Sequence, residues 1–257
     1  NWHDFLAADD ESGLINYNDC GCIVMKTEQN GYLTNILAIM DQLGAPYQHL
    51  NPAEVIQHLP FVSMNSFAPA KLSDDPDFGE PNSEPLSGAV LFPTGGYVSA
   101  PQLATHNLQR AAEASGAEFL FNAEVVSVEQ LNGRISGISL ANGEQLNASI
   151  VINAAGPHSY KINQLAGVEE KMNIKTRALR HEVSHVPSPV DFNTENRGYV
   201  FSDSDVATYF RPEQNNHLLL GSEDPECDSR QWVDPDNFNH DFTAQWQTQV
   251  MRMAQRI

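Results

Sequence analysis

The stretch from Ala89 to Gly156 constrains this 257-residue chain more than any other. Ala89-Val90-Leu91-Phe92 reads as a strand, and Pro93-Thr94-Gly95-Gly96 as the turn that ends it. Pro101 at the first helical position opens a helix to about Ala114, with Leu103, Ala104, Leu108, Ala111 and Ala112 inward and Ser115-Gly116 as its stop. Strands are expected over 118–121, 125–130, 134–140 and 145–152. Asn132-Gly133 and Asn142-Gly143 tolerate the positive φ of type I′ turns, so the last three of these strands form an antiparallel meander. The run ends on a buried strand, Ile150-Val151-Ile152, which passes into Asn153-Ala154-Ala155-Gly156. Small residues at that exit let the backbone approach a ligand closely, because glycine has no Cβ in the way.

Around this core the pattern alternates. Gly31 to Leu43 is an amphipathic helix candidate with Leu33, Ile36, Leu37 and Met40 on one face. Asn51 as N-cap, Pro52 at N1 and Glu54 start a second helix that Pro60 stops. Residues 71–88 are acidic and rich in Pro and Ser, a loop by composition. Strands return over 178–185, 198–201, 207–211 and 217–220. A final helix carries Phe242, Trp246, Val250 and Met253 on one stripe. Helix-rich and strand-rich stretches that alternate in this way specify an α/β or α+β fold with interleaved subdomains.

Composition narrows the function. Fourteen Lys and Arg against 33 Asp and Glu leave a net charge of −19, which excludes a nucleic-acid surface built on clustered bases. With 41% hydrophobic and 18% charged residues the chain is globular. No run reaches the roughly 18 apolar residues of a membrane span, and no secretory signal opens the sequence. The three cysteines are too few for a disulfide framework, which places the protein in a reducing compartment, the cytoplasm. Cys20-Gly21-Cys22 reads as two half-buried thiols. The acidic surface suits salty surroundings. The start at Asn1, without Met, and the final helix without a stop signal read as part of a longer protein.

His181-Glu182-Val183-Ser184-His185 matches the zincin pattern letter for letter. Metal binding by that pattern needs a helix, so that both imidazoles share one face. Val183, Val186 and Val190 with Pro187 and Pro189 favour a strand instead, on which the two imidazoles lie about 13 Å apart. The sequence therefore assigns no metal site. His3, His49, His58, His106, His217 and His240 share no spacing and read as structural or surface groups.

One ordered set of pieces goes further: Gly95-Gly96-Tyr97-Val98, Pro101 with its helix, Ser115-Gly116-Ala117, Glu124-Val125-Val126, Asn142-Gly143 and Asn153-Ala154-Ala155-Gly156. With Tyr209-Phe210-Arg211-Pro212-Glu213 and Leu218-Leu219-Leu220-Gly221 it resembles the glycine/D-amino-acid oxidase family of FAD-dependent oxidoreductases, to which sarcosine- and dimethylglycine-oxidising enzymes belong. The resemblance runs from Gly21 to Gly221. It implies an FAD domain of the glutathione-reductase type, with residues 94–160 as its middle, and a mixed-sheet substrate domain over residues 1–93 and 161–257. It also implies that Val125 meets the adenine end of FAD and that Ala154, Ala155 and Gly156 line the cofactor. His158 stands where many members carry Trp. The sequence has no G-x-G-x-x-G. In the family that segment lies N-terminal to everything seen here, and a further FAD segment lies C-terminal. The chain is expected to be the central portion of such an enzyme and to hold FAD poorly by itself.

The resemblance places Tyr209 and Arg211 on a strand that faces the flavin. Alternation puts both on one side, where a hydroxyl and a guanidinium can fix a carboxylate. Arg180 and His181 would be contacts of the same kind. The implied chemistry is hydride transfer from a C–H beside an amine nitrogen to flavin, with a small amine or amino acid as substrate and oxygen or an electron carrier as acceptor. A 2-hydroxy-acid or glycerol-phosphate dehydrogenase of the same superfamily is the alternative within enzymes. A catalytically inactive binding or structural subunit is the alternative outside them, and a zinc protease the remote one.

Overall fold

In a computed structural model, residues 11–257 are described. The strands in chain order are β1 (Tyr17–Asn18), β2 (Cys22–Met25), β3 (Gln48–Leu50), β4 (Ala89–Phe92), β5 (Tyr97–Val98), β6 (Val125–Leu131), β7 (Arg134–Leu140), β8 (Gln145–Asn147), β9 (Val183–Pro187), β10 (Val200–Asp203), β11 (Thr208–Glu213) and β12 (His217–Ser222). The helices are α1 (Leu33–Leu43), α2 (Pro52–His58), α3 (Pro101–Ala114), α4 (Ser159–Leu165), α5 (Thr194–Arg197) and α6 (Ala244–Arg256). The chain divides into two compact units. The first takes the chain to Ala114, with His181–Ser229 and Asp241–Ile257; the second is Ser115–Arg180 with Arg230–His240.

Unit 1 is built on a seven-stranded sheet in the order β3-β4-β2-β10-β11-β12-β9, in which only the β2–β10 pair is parallel. The parallel pair joins Cys22 to Val200 and Val24 to Ser202. One face of the sheet is the core, where Ile23, Met25, Leu91, Phe201, Phe210, Leu218 and Leu220 pack with Val55 of α2 and Met253 of α6. The other face carries Cys22, Ser202, Tyr209, Arg211, Leu219 and His185, which are half-buried or exposed. Helix α2 starts as its residues dictate: the Asn51 side chain accepts from the Glu54 amide at 3.0 Å and the Glu54 carboxylate accepts from the Asn51 amide at 2.8 Å.

Two helices bury polar residues beside only part of the apolar faces expected of them. In α3 the buried positions are Ala104 and Asn107, while Leu108 is exposed. The Asn107 amide group is used to hold the preceding loop, accepting from the Ile15 amide at 2.9 Å and donating to the Gly13 carbonyl at 2.8 Å. In α6 the buried residues are Thr248, Gln249, Arg252, Met253 and Arg256. Phe242 and Trp246 are exposed, so of the expected stripe Val250 and Met253 reach the core. Arg252 and Arg256 are inside because acids are waiting for them. Arg252 pairs with Asp228 at 2.7 Å, and Arg256 with Asp203 at 2.6 Å and Asp205 at 2.9 Å. A paired, hydrogen-bonded charge can be buried where a lone one cannot.

Unit 2 holds the expected meander, β6-β7-β8, with α4 packed against β6. Residues 118–121 are not a strand, and Phe119, Leu120 and Phe121 are exposed. The strand expected over 145–152 stops at Asn147, because β8 finds partners on β7 only for Gln145, Leu146 and Asn147. Ile150 and Ile152, read as a buried strand, are 76% and 85% exposed. An apolar run becomes a buried strand only where a neighbouring strand completes its ladder, and no neighbour among the described residues does so here. The strand expected over 178–185 starts at Val183; before it, Leu179 makes a single bridge to Trp232.

Candidate functional site

The open face of the unit 1 sheet gathers two of the sequence-predicted residues. Tyr209 and Arg211 project from it side by side, since Thr208, Phe210 and Pro212 point into the core. Tyr209 pairs across the sheet with Ser202 on one side and Gly221 on the other. Gly221 is small for a reason: a Cβ there would stand 2.4 Å from the Tyr209 hydroxyl, so the phenol lies directly over it. The Arg211 guanidinium stacks on the Tyr97 ring at 4.7 Å, pairs with Glu213 at 2.9 Å and donates to the Pro212 carbonyl at 3.0 Å. The Gln214 amide and Arg211 hold the Glu213 carboxyl below the usual range, so this counter-ion stays charged.

His181 is exposed in the segment that leads into β9. The zincin letters fall on coil and strand, and Glu182 turns inward. Its carboxylate accepts from the Thr243 amide at 2.9 Å, the Thr243 hydroxyl at 2.8 Å and the Trp246 amide at 3.0 Å, which caps α6. His185 instead stacks on His217 with ring centroids 4.5 Å apart. No group of three metal-ligating side chains occurs among the described residues. Cys20 and Cys22 are half-buried free thiols, and burial pushes Cys22 up to about 11.

Unit 2 carries the predicted cofactor residues and Arg180. The Asn153 side chain organises the exit loop, accepting from the Ala155 amide at 3.2 Å and donating to the Ser159 carbonyl and to Asn163 Oδ1, each at 2.9 Å. Gly156 has a φ of +55°, and nothing lies within 4 Å of where its Cβ would be. Ala154, Ala155 and Gly156 thus make an open wall of small residues and backbone, suited to the close approach of a broad, flat ligand. Val125 lines a shallow cleft of about 470 Å³ with Lys161, Gln164 and Leu165. His158 follows the loop in a short 3₁₀ turn, and its Nε2 lies 2.7 Å from Asp236, which Lys161 also holds at 2.6 Å. Those two partners keep the Asp236 carboxyl below its usual range. Arg180 is buried, donating from Nε to the Asn239 carbonyl at 2.8 Å, and so serves the packing of the 230–240 segment within its unit.

Sequence reasoning missed Glu223. Its carboxylate takes the Ser202 hydroxyl at 2.6 Å and the Ser204 hydroxyl at 2.7 Å, on the same sheet face as Tyr209. Ser202 and Ser204 precede the glutamate by 21 and 19 positions, and only strand register brings them together, so no local motif marks the trio.

Residues 2–257 match the DAO family, described as FAD dependent oxidoreductase. A D-amino acid dehydrogenase of Helicobacter pylori is 26% identical over 140 residues, which are 54% of this chain and 28% of that protein. Among solved structures, L-proline dehydrogenase of P. horikoshii superposes with a TM-score of 0.66 at 16% identity, covering 99% of this chain and 58% of that one. Glycine oxidase of Geobacillus kaustophilus gives 0.61 at 20% identity, covering 97% and 57%. The chain therefore spans little more than half the length of these structures and about a quarter of the curated relative. The match extends over the sheet that carries Tyr209 and the loop of Ala154 to Gly156 alike: this chain belongs to the DAO family of FAD-dependent oxidoreductases.

Proposed function

We propose that the protein oxidises the C–N bond of a small amine or amino acid of the sarcosine, glycine or D-amino-acid type. The family match over residues 2–257 carries this reading. Bound FAD would supply the hydride acceptor, and oxygen or an electron carrier would receive the electrons afterwards. We assign the cofactor wall to Val125, Ala154, Ala155, Gly156 and His158 of unit 2. The substrate face goes to Tyr209 and Arg211 of unit 1, with His181 as a further contact; Arg180, buried against the Asn239 carbonyl, is not among them. The Tyr209 hydroxyl orients the substrate, and Arg211, steadied by Tyr97 and Glu213, sets the electrostatics for a carboxylate. Residues 94–160 would form the middle of the FAD domain, with 1–93 and 161–257 forming the substrate domain. Three free thiols fit the reducing cytoplasm as its place of work.

The test is an absorbance scan of the purified chain with excess FAD, followed by anaerobic addition of sarcosine, glycine, D-alanine or proline. Because the chain is expected to hold FAD poorly by itself, the expected result is a weak protein-associated band at about 450 nm that appears only at excess FAD and that one of these amines bleaches. Bleaching by lactate or glycerol 3-phosphate but by none of the amines overturns the substrate class. A chain that takes up no FAD at any concentration overturns its assignment as a flavoenzyme by itself.

A further inference from the structure

Beyond the Tyr209 face, unit 1 holds a cavity of about 650 Å³ lined by Gln29, Tyr32, Ser204, Glu223, Glu226 and Cys227, together with two prolines and two alanines. Its chemistry is one-sided. Two carboxylates line it and no lysine or arginine does. The Glu223 carboxylate is aimed rather than free to swing, because the Ser202 and Ser204 hydroxyls grip its two oxygens at 2.6 and 2.7 Å. Arg252 lies 3.5 Å from Cys227 Sγ behind the wall, but it is wholly buried and Asp228 takes its charge. Half of the Tyr32 side chain is exposed, and an aromatic face beside carboxylates attracts a cation through its quadrupole. The apolar remainder of the lining suits an alkyl chain better than a hydrated metal ion, which would seek more oxygen ligands than this cavity converges.

We infer that this cavity binds an aliphatic organic ammonium, with Glu223 as the residue that recognises its charge. Serine hydroxyls donate two hydrogen bonds to Glu223 without neutralising it, leaving lone pairs and a full negative charge for N–H donors. Glu223 lies two residues along β12 and beyond from Gly221, the cross-strand partner of Tyr209, so the ammonium would sit next to the proposed substrate strand. For any role in catalysis the site rests on the amine-oxidising reading above; as a binding site it stands by itself.

The experiment is calorimetric titration of the 257-residue chain with n-butylammonium chloride, against sodium chloride and n-butanol at matched ionic strength. The ammonium should bind saturably and the two controls should not. Glu223→Gln should weaken binding about tenfold, as expected for loss of a charge-assisted hydrogen bond, without lowering the melting temperature. Glu80→Gln, an exposed change elsewhere in the acidic loop, should leave binding unaltered, which separates the cavity from general attraction to a −19 protein. If Glu223→Gln unfolds, Ser204→Ala replaces it, and a drop of about threefold is expected from a carboxylate that is no longer fully aimed. Equal binding by sodium or butanol, or by the cavity variant, overturns the site. Ammonium binding without flavin uptake removes the catalytic reading alone, and flavin bleaching by amines without saturable binding at Glu223 removes this inference alone.

Discussion

Two buried carboxylates, Asp203 and Asp205, meet one buried guanidinium, that of Arg256, at 2.6 and 2.9 Å. Asp205 is further satisfied by the Ser66 hydroxyl and the Phe67 amide, each at 2.7 Å. Burial pushes Asp203 up to about 6, against the pull of Arg256 and with a push from Asp205. Its folded pKa thus exceeds the ordinary 3.8, so its contribution to stability is complete below that value and is lost as pH rises through about 6. The melting temperature of the native chain minus that of Asp203→Asn should therefore fall between about pH 4 and pH 6.5; a constant difference would contradict the burial argument. Removing the cation is harsher. Arg256→Leu leaves two unpaired acids in the core and should cost about 3–5 kcal/mol in denaturant unfolding. Nothing in the sequence singled out these acids, because an aspartate is by default a surface residue and its partner lies some fifty positions away. Gly221 is a second residue-scale test. Gly221→Ala places a methyl against the Tyr209 hydroxyl, and should displace the phenol while leaving the fold intact. On the proposed function, kcat/KM should fall about tenfold with little change in melting temperature.

Local signals made some elements legible and tertiary ones hid others. The Asn51–Glu54 reciprocal cap and the Asn132-Gly133 turn depend on residues a few positions apart and formed where the sequence put them; Asn142-Gly143 also turns the chain, but only Gly143 has a positive φ, so it is not the expected type I′ turn. Helix α6 existed as expected, and Val250 and Met253 of its apolar stripe meet the core, yet the rest of its inward face could not be read from apolar periodicity, since arginines bury only when acids on β10 and after β12 receive them. Ile150 and Ile152 show the converse, apolar residues left outside because no strand among the described residues lies beside them. The candidate site followed the same division. Tyr209 and Arg211 share a face by simple alternation, whereas Glu223 entered only through register. Glu182 offers the element-scale prediction. Its carboxylate accepts the first donors of α6, so Glu182→Ala should lower stability by about 2 kcal/mol and loosen the start of that helix, seen as faster amide exchange at Trp246. Unchanged exchange there would show that packing alone holds the helix start.

At the scale of the whole molecule, 33 acids against 14 bases repel one another across a folded surface. Sodium chloride from about 0.05 to 1 M should raise the melting temperature, most steeply at the low end where screening changes fastest. No helix among the described residues is long and apolar enough to cross a membrane. The parallel pairing of β2 with β10 has a consequence for synthesis. Cys22 leaves the ribosome long before Val200, its partner, and the whole of the β6-β7-β8 meander is made in between. Pairings between neighbours in sequence close quickly and distant ones wait for the chain that spans them. The meander can therefore form while β2 and β4 exist only as a half-sheet with an open edge. A nascent-chain experiment should find protease resistance appearing first around residues 125–147, and only after Ser222 has emerged around Cys22. The order in which this protein becomes protected is thus the reverse of the order in which its sheet begins.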